Sequence, residues 1–189
     1  PSLKLIGRGG VGMDNIDVDY ARSKGIHVIN TPAASSQSVA ELVFGSLFSL
    51  SRTTFDSYQK MPQSGASDFK ALKKKYAKGQ ELRGKTLGIV GFGRIGQSLA
   101  SYALGAGMTV KAVDLFVDSA DIKVPIQGNE VNVNIQPVKS LNDIIGQLDY
   151  ISLHVPKQAD GSAVIGAAEF SQMKDGVILA NAARGGVID

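Results

Sequence analysis

A chain of 189 residues, 43% hydrophobic and 20% charged, is long enough for one domain or one and a half around a packed core. A formal net charge of +3 is too small to argue for a nucleic-acid partner, and no apolar run reaches the roughly 18 residues of a membrane span. The absence of cysteine removes disulfides, thiolate metal sites and cysteine nucleophiles; it fits a reducing compartment, so a cytoplasmic protein without a metal is expected.

The chain opens on Pro1 and runs at once into an apolar stretch, with no signal peptide in view, which reads as the inside of a longer protein. Leu3–Ile6 is a short apolar run before the turn Gly7-Arg8-Gly9-Gly10-Val11-Gly12, the pattern of a buried strand. Residues 14–24 then predict a helix stopped at Gly25, and residues 26–29 a second strand stopped by Asn30-Thr31-Pro32. Ser38-Val39-Ala40-Glu41 matches a capping box and starts a helix whose Leu42, Val43, Phe44, Leu47, Phe48 and Leu50 face all round. Such a helix must be covered on several sides, which predicts a homodimer packed through this region. Residues 52–84 are polar and lysine-rich, broken by Pro62 and Gly65, and the Lys73-Lys74-Lys75 run without aromatics reads as a solvated helix face.

From Thr86 the pattern is regular. Strands are predicted at 86–90, 109–113, 150–155 and 177–180, with helices at 94–104, 141–146 and 167–173 between them. This alternation implies right-handed crossovers and a doubly wound parallel sheet, a Rossmann-like α/β fold. Residues 121–138 fit neither period and are taken as a loop with room for a short hairpin.

The motif Gly91-Phe92-Gly93-Arg94-Ile95-Gly96 leaves a strand and opens a helix, and Asp114 stands 18 residues beyond it at the end of the next strand. Gly91 makes the tight turn, Gly93 lets the backbone approach a pyrophosphate, and Gly96 lets helix pack on strand. The helix N-terminus around Arg94 and Ile95 would hold the diphosphate. Asp114 would accept from both adenosine ribose hydroxyls and repel a 2′-phosphate. No Arg or Lys follows it at Leu115, Phe116 or Val117, so NAD is expected over NADP. The second motif, Asn181-Ala182-Ala183-Arg184-Gly185-Gly186-Val187-Ile188-Asp189, follows an apolar strand. It puts Arg184 at the sheet edge where ligands lie, ready to grip a carboxylate with two hydrogen bonds. The small neighbours Ala182 and Ala183 would let a ligand approach the backbone. Of the two histidines, His27 reads as a packed or surface residue, whereas His154 ends a strand near the cofactor.

The segments from Arg8 to Asp17, Asn30-Thr31-Pro32, Ser38-Val39-Ala40-Glu41, GFGRIG, Leu153-His154-Val155-Pro156 and NAARGGVID occur in one order over nearly the whole chain. Jointly they resemble the successive motifs of the D-2-hydroxyacid dehydrogenase family, and the arginine before Gly-Gly-Val-Gly is most similar to its phosphoglycerate dehydrogenase branch. The resemblance implies that Arg184 binds the substrate's carboxylate and carbonyl, with the backbone amides of Val11 and Gly12 facing the carboxylate. It implies that Thr31, Val155, Pro156 and Ala182, with His154 and Ala183 beside them, line the cofactor pocket. It implies residues 1–34 as the end of a flavodoxin-like substrate domain and 35–189 as the NAD-binding domain. The family's glutamate and acid/base histidine would lie beyond Asp189. The implied reaction is hydride transfer between NAD and a D-2-hydroxy acid, 3-phosphoglycerate in serine biosynthesis being favoured. The rivals are a glyoxylate or hydroxypyruvate reductase and an NAD-sensing, corepressor-like scaffold.

Overall fold

The computed structural model describes residues 2–189. Leu5–Arg8 (β1) and His27–Asn30 (β2) pair in parallel around the short helix Val18–Ser23 (α1), with Leu5 opposite His27 and Arg8 opposite Asn30. Asp17 caps α1 by accepting from the Tyr20 amide at 2.9 Å. This two-stranded sheet is separate from the main one.

Next come the helices Ser36–Arg52 (α2) and Thr54–Tyr76 (α3), then Thr86–Val90 (β3), Arg94–Gly105 (α4) and Thr109–Val113 (β4). An antiparallel hairpin, Ala120–Ile126 (β5) and Asn129–Ile135 (β6), precedes two 3₁₀ turns at Leu141–Asp143 and Ile145–Gln147. Tyr150–Leu153 (β7), Ala167–Phe170 (α5) and Ile178–Asn181 (β8) complete the chain. The main sheet has the order β4-β3-β7-β8, all parallel. The expected doubly wound sheet is therefore present. From β3 the chain winds outward to β4, then returns to the other side for β7. That reversal opens a crevice beyond the carboxyl ends of β3 and β7. Val138 makes a parallel bridge to Val113, continuing the sheet beyond β4.

Core layers cover both faces. Leu87 and Ile89 meet Leu99, Ala100 and Ala103 of α4 and Ala40, Val43 and Leu47 of α2. Val90, Ile151 and Leu153 join the second cluster with Leu141, Ile144, Ile145 and Leu148. Burial on both faces is why these strands read as continuous apolar runs.

Two local expectations are corrected, and the surroundings of two further segments are now defined. The Ser38–Glu41 capping box does not form: α2 begins at Ser36, its N-cap Ser35 makes no side-chain cap, and the Ser38 hydroxyl donates to the Ser35 carbonyl at 3.1 Å. The turn after Thr31, with the Ser36 amide reaching Ala33, already winds the chain before Ser38 arrives. Within the chain α2 is covered on one face only, since Leu42 is 66% and Leu50 55% exposed. Pro62 and Gly65 do not break the lysine-rich segment; α3 runs through both and leaves helical geometry at Asp68. Asp56 nevertheless contacts Lys75 and Tyr76. A straight helix at 1.5 Å per residue would hold them roughly 28 Å apart, so α3 doubles back at Asp68. Residues 120–135 form a full hairpin, closed by Gln127 at φ 50° and Gly128 at φ 81°, the left-handed pair that a two-residue turn needs. Ile122, Val124 and Ile135 are its buried residues.

Among the described residues, no helix is long and apolar enough to cross a membrane.

One buried polar link ties β7 to α2. The Tyr150 hydroxyl lies 2.9 Å from Ser51 Oγ, whose own proton goes to the Leu47 carbonyl at 2.6 Å, so the tyrosine donates. Tyr150→Phe removes that donor at almost constant volume. It should lower the unfolding free energy by about 1 kcal/mol in urea titrations. An unchanged midpoint would show that this bond contributes nothing.

Candidate functional site

The end of β3 is built by close approach. Gly91 sits at φ 92°, and a Cβ there would lie 2.6 Å from the His154 carbonyl oxygen and 2.9 Å from Val155. A Cβ on Gly96 would overlap the Gly91 carbonyl, so α4 can lie against the β3 turn only with glycine. At Gly93 a Cβ would meet nothing within 4 Å. Gly93 is exposed and is the N-cap of α4, with no side chain capping the helix. The first amides of α4, on Arg94, Ile95 and Gly96, therefore have no intrahelical partner. Two crowded glycines set the turn and one open glycine faces solvent, a fit to a diphosphate approached by backbone amides.

Asp114 ends β4 beside this turn. Its Oδ2 accepts from the Phe92 amide at 2.7 Å, and its Oδ1 from the Phe116 and Val117 amides at 2.8 and 2.9 Å. Burial works to raise its pKa, but these three donors outweigh it, and the pKa is held below the usual carboxylate value. Three of about four acceptor sites on the carboxylate are thereby used, leaving about one for a ribose hydroxyl rather than a site for each of two. No Arg or Lys immediately follows Asp114 along the sequence, but one cation reaches it in space. Lys139 donates to the Asp114 carbonyl at 3.2 Å and lines the same cleft.

His154 follows β7 and is half-buried. Its ring Nε2 lies 2.8 Å from the Ser152 hydroxyl, and burial pushes its pKa down to about 4. The imidazole is neutral at pH 7 and a weak proton acceptor. His27 lies on the exposed side of β2.

Arg184 follows β8. Its Nε donates to Asp14 Oδ2 at 3.0 Å and its Nη1 to the Ala183 carbonyl at 2.8 Å. The Asn181 amide donates to the Arg184 carbonyl at 2.8 Å, while Asn181 Oδ1 accepts from the Ala183 amide at 3.0 Å. A side chain on Gly12 would collide with the Arg184 guanidinium. Across the cleft, Arg8 curls over its own loop, with Nε on the Gly12 carbonyl at 3.2 Å and Nη1 on the Gly9 carbonyl at 3.0 Å.

These groups fall into connected clefts. One of about 540 Å³ is walled by Gly91, Gly93, Asp114, His154, Val155 and Pro156, with Lys139 and the exposed Leu115 and Phe116. A second, of about 480 Å³, holds Arg8, Val11, Gly12, Asp14, Ile95, Ala182 and Arg184. A small pocket of about 160 Å³ shares Val11 and Ile95 with the second and Gly93 and His154 with the first, and adds Arg94 and Gly96. Thr31 and Ala183 lie outside these walls. Thr31 Oγ1 accepts from the Gly10 amide at 2.8 Å and so holds the Gly-rich loop. Sequence reasoning missed Lys139 and Asp14, which meet their partners from 25 and 170 residues away. The lysine alone could have been suspected, as the cation nearest the start of the element after the hairpin.

Residues 44–189 match the family model described as the D-isomer specific 2-hydroxyacid dehydrogenase NAD-binding domain. The chain belongs to the D-2-hydroxyacid dehydrogenase family. A hydroxypyruvate reductase from Thermotoga maritima is 42% identical over 188 residues, covering 100% of this chain and 56% of that protein. A D-3-phosphoglycerate dehydrogenase from Methanocaldococcus jannaschii is 40% identical over 188 residues, covering 99% of this chain and 33% of that protein. The chain thus spans between a third and somewhat over half of these relatives. Among solved structures, an Aquifex aeolicus D-lactate dehydrogenase complexed with NAD and lactic acid is 35% identical, with a TM-score of 0.71 over 100% of this chain and 52% of that one. The holo form of Rhodotorula graminis D-mandelate dehydrogenase gives a TM-score of 0.81 at 26% identity, covering 100% of this chain and 53% of that one. The Rossmann-like fold and the NAD cofactor expected from GFGRIG and Asp114 are those of the family.

The depressed His154 pKa makes a stability prediction with a definite sign. An unfolded imidazole binds its proton near 6.5 and the folded one only near 4, so within that window the unfolded state holds more protons. Stability from this group is full above pH 6.5 and falls as pH drops toward 4. Unfolding free energies of the wild type and His154→Gln should therefore converge, or cross in favour of the variant, as pH falls from 7 to 4.5. A constant difference over that range would show that His154 is not desolvated.

Proposed function

We propose that the protein carrying this chain transfers hydride between NAD and a D-2-hydroxy acid, with 3-phosphoglycerate the substrate its cleft suits best. Residues 1–34 are read as the end of its substrate domain, and a cytoplasmic role in serine biosynthesis follows from that substrate. The observation that carries the reading is the pairing of Arg8 and Arg184 around one cleft that opens, through Val11 and Ile95, onto the GFGRIG turn. One guanidinium suits a carboxylate; two suit a substrate with anionic groups at both ends.

NAD, when bound, supplies the nicotinamide ring that takes or returns the hydride. The chain's own groups bind and orient. The α4 amides hold the diphosphate, Asp114 a ribose hydroxyl, and Arg184 the carboxylate and the oxygen on the reacting carbon. Asp14 keeps the guanidinium turned into the cleft. The hydroxyl proton is not assigned to His154, whose pKa near 4 makes it a poor acceptor at neutral pH; it is assigned to the family's histidine, expected beyond Asp189.

A hydroxypyruvate reductase is the second reading, favoured by the 42% identity to the Thermotoga protein of that name. Arg8 separates the two. With NAD and 3-phosphoglycerate, Arg8→Gln should raise KM about tenfold or more, while hydroxypyruvate reduction with NADH changes little. Equal effects on both substrates would remove Arg8 from phosphate binding, and a preference for hydroxypyruvate in the wild type would decide for the second reading. Binding of NADH without turnover of either would point to the scaffold class.

The same reading includes a homodimer. Leu42, Phe48 and Leu50 of α2 and Phe55, Tyr58 and Phe69 of α3 are all exposed within the chain, more apolar surface than a monomer ordinarily leaves in water. Sedimentation at tens of micromolar should give a dimer, and Leu42→Glu with Phe48→Glu should give a folded monomer. A monomeric wild type would refute the docking of a second copy here.

A further inference from the structure

Lys139 follows the bridge at Val138 and stands just before the 3₁₀ turn at Leu141. Its ammonium reaches the carbonyl oxygens of Asp114 and Leu115 at 3.2 Å each and of Val117 at 3.4 Å, and pairs with Asp118 Oδ1 at 2.7 Å. Three N–H donors thus serve four acceptors drawn from one five-residue loop.

The geometry bears on Asp114 through the peptide planes. The Leu115 carbonyl and the Phe116 amide belong to one planar trans peptide unit and point in opposite directions. Lys139 holds the carbonyl end of that unit, and Asp114 Oδ1 holds its N–H end at 2.8 Å. Pulling the carbonyl toward the ammonium aims the N–H at the carboxylate. The Val117 amide at 2.9 Å completes the grip, and the Phe92 amide fixes the other oxygen from the GFGRIG turn. Without the cation, three carbonyls and Asp118 would turn to water. The loop carrying Leu115 and Phe116 along the cofactor cleft would then be held only by the Asp114 Oδ1 bonds to its amides and by the packing of Val117 on the core. Phe116 is 91% exposed, so packing does not hold it.

We infer that Lys139 is a positioning residue for cofactor binding: by clamping the 114–118 loop, it holds the Asp114 carboxylate in the orientation that accepts the adenosine ribose. The inference rests on the reading of Asp114 as the ribose acceptor. The charge of Lys139 also helps keep the Asp114 carboxylate ionised, while its hydrogen bonds to the loop carbonyls and Asp118 fix the carboxylate's direction.

The probe is ADP-ribose, titrated by calorimetry into the wild type, Lys139→Met, Lys139→Arg, Asp114→Ala and the double variant Lys139→Met with Asp114→Ala. Lys139→Met should weaken binding about tenfold, and Lys139→Arg should recover most of that loss, because a guanidinium can also donate to several carbonyls. In the Asp114→Ala background, Lys139→Met should have less than about a twofold effect, the non-additivity expected of two residues acting as one unit. Unchanged affinity in Lys139→Met overturns the inference while leaving the ribose reading intact. An equal loss in both backgrounds also overturns it, since Lys139 would then support the fold and not the carboxylate. Unchanged affinity in Asp114→Ala sinks the ribose reading and the inference with it.

Discussion

The cleft depends on a single close approach, the contact of the β3 turn with the end of β7. At Gly91 the backbone adopts a left-handed φ of 92° with the His154 carbonyl where a side chain would stand. The contact sets the distance between the two strands at the reversal of the sheet. Gly96 then lies on the Gly91 carbonyl, so α4 starts close enough for its free amides to face the crevice. The Phe92 amide, between the two, reaches across to Asp114. The α4 amides, the Asp114 carboxylate and the cleft wall are thus positioned by one turn. A methyl group at Gly91 would separate all three at once, at the additional expense of a strained backbone.

The substrate side is positioned differently. Arg184 is long and partly exposed, and no crowded glycine turn holds it. Asp14, Ala183 and Asn181 hold its ends by hydrogen bonds, and Gly12 leaves the room its guanidinium occupies. The Asp14 pair is exposed, so its energy is small. What it supplies is direction: it links residues of the first 34 to the strand end at Asn181. Because Arg184 follows the last strand of the main sheet and Arg8 ends a strand of the small one, the spacing between the two guanidinium groups is set by how those two parts meet.

Legibility followed the range of the interactions. The strand, GFGRIG, helix, strand and Asp114 unit could be read because each part is local and each glycine has a steric reason. Arg184 at a strand's carboxyl end followed from sheet topology alone. Residues 121–138 show in sequence only a loop with room for a short hairpin, although Ile122-Lys123-Val124 and Val131-Asn132-Val133-Asn134-Ile135 do alternate. Pro125 and the scarcity of large side chains hid the period, and Gln127-Gly128 is a weaker turn signal than Asn-Gly. The break in α3 was placed at Pro62 and Gly65 by composition. It falls at Asp68, where the contacts of Asp56 with Lys75 and Tyr76 fold the helix back. Asp14 carries no local sign and Lys139 only its place after the hairpin, because their partners are brought to them only by the finished fold.

The two ionisable groups of the cofactor cleft are pushed in the same direction by opposite means. Asp114 is kept charged by backbone donors that outweigh its burial, and His154 is kept uncharged by burial alone. Both pKa values fall, so neither group carries a proton at neutral pH. The difference lies in what each does to charge. The ionised carboxylate places negative charge at one end of the cleft and can accept a further hydrogen bond there. A neutral imidazole beside Gly91 adds no positive charge to the cleft. Facing the GFGRIG turn are the α4 dipole and free amides, with the exposed Arg94 side chain at the start of that helix. The charge at each of these points is therefore set by backbone geometry and solvent exclusion rather than by the side-chain type alone.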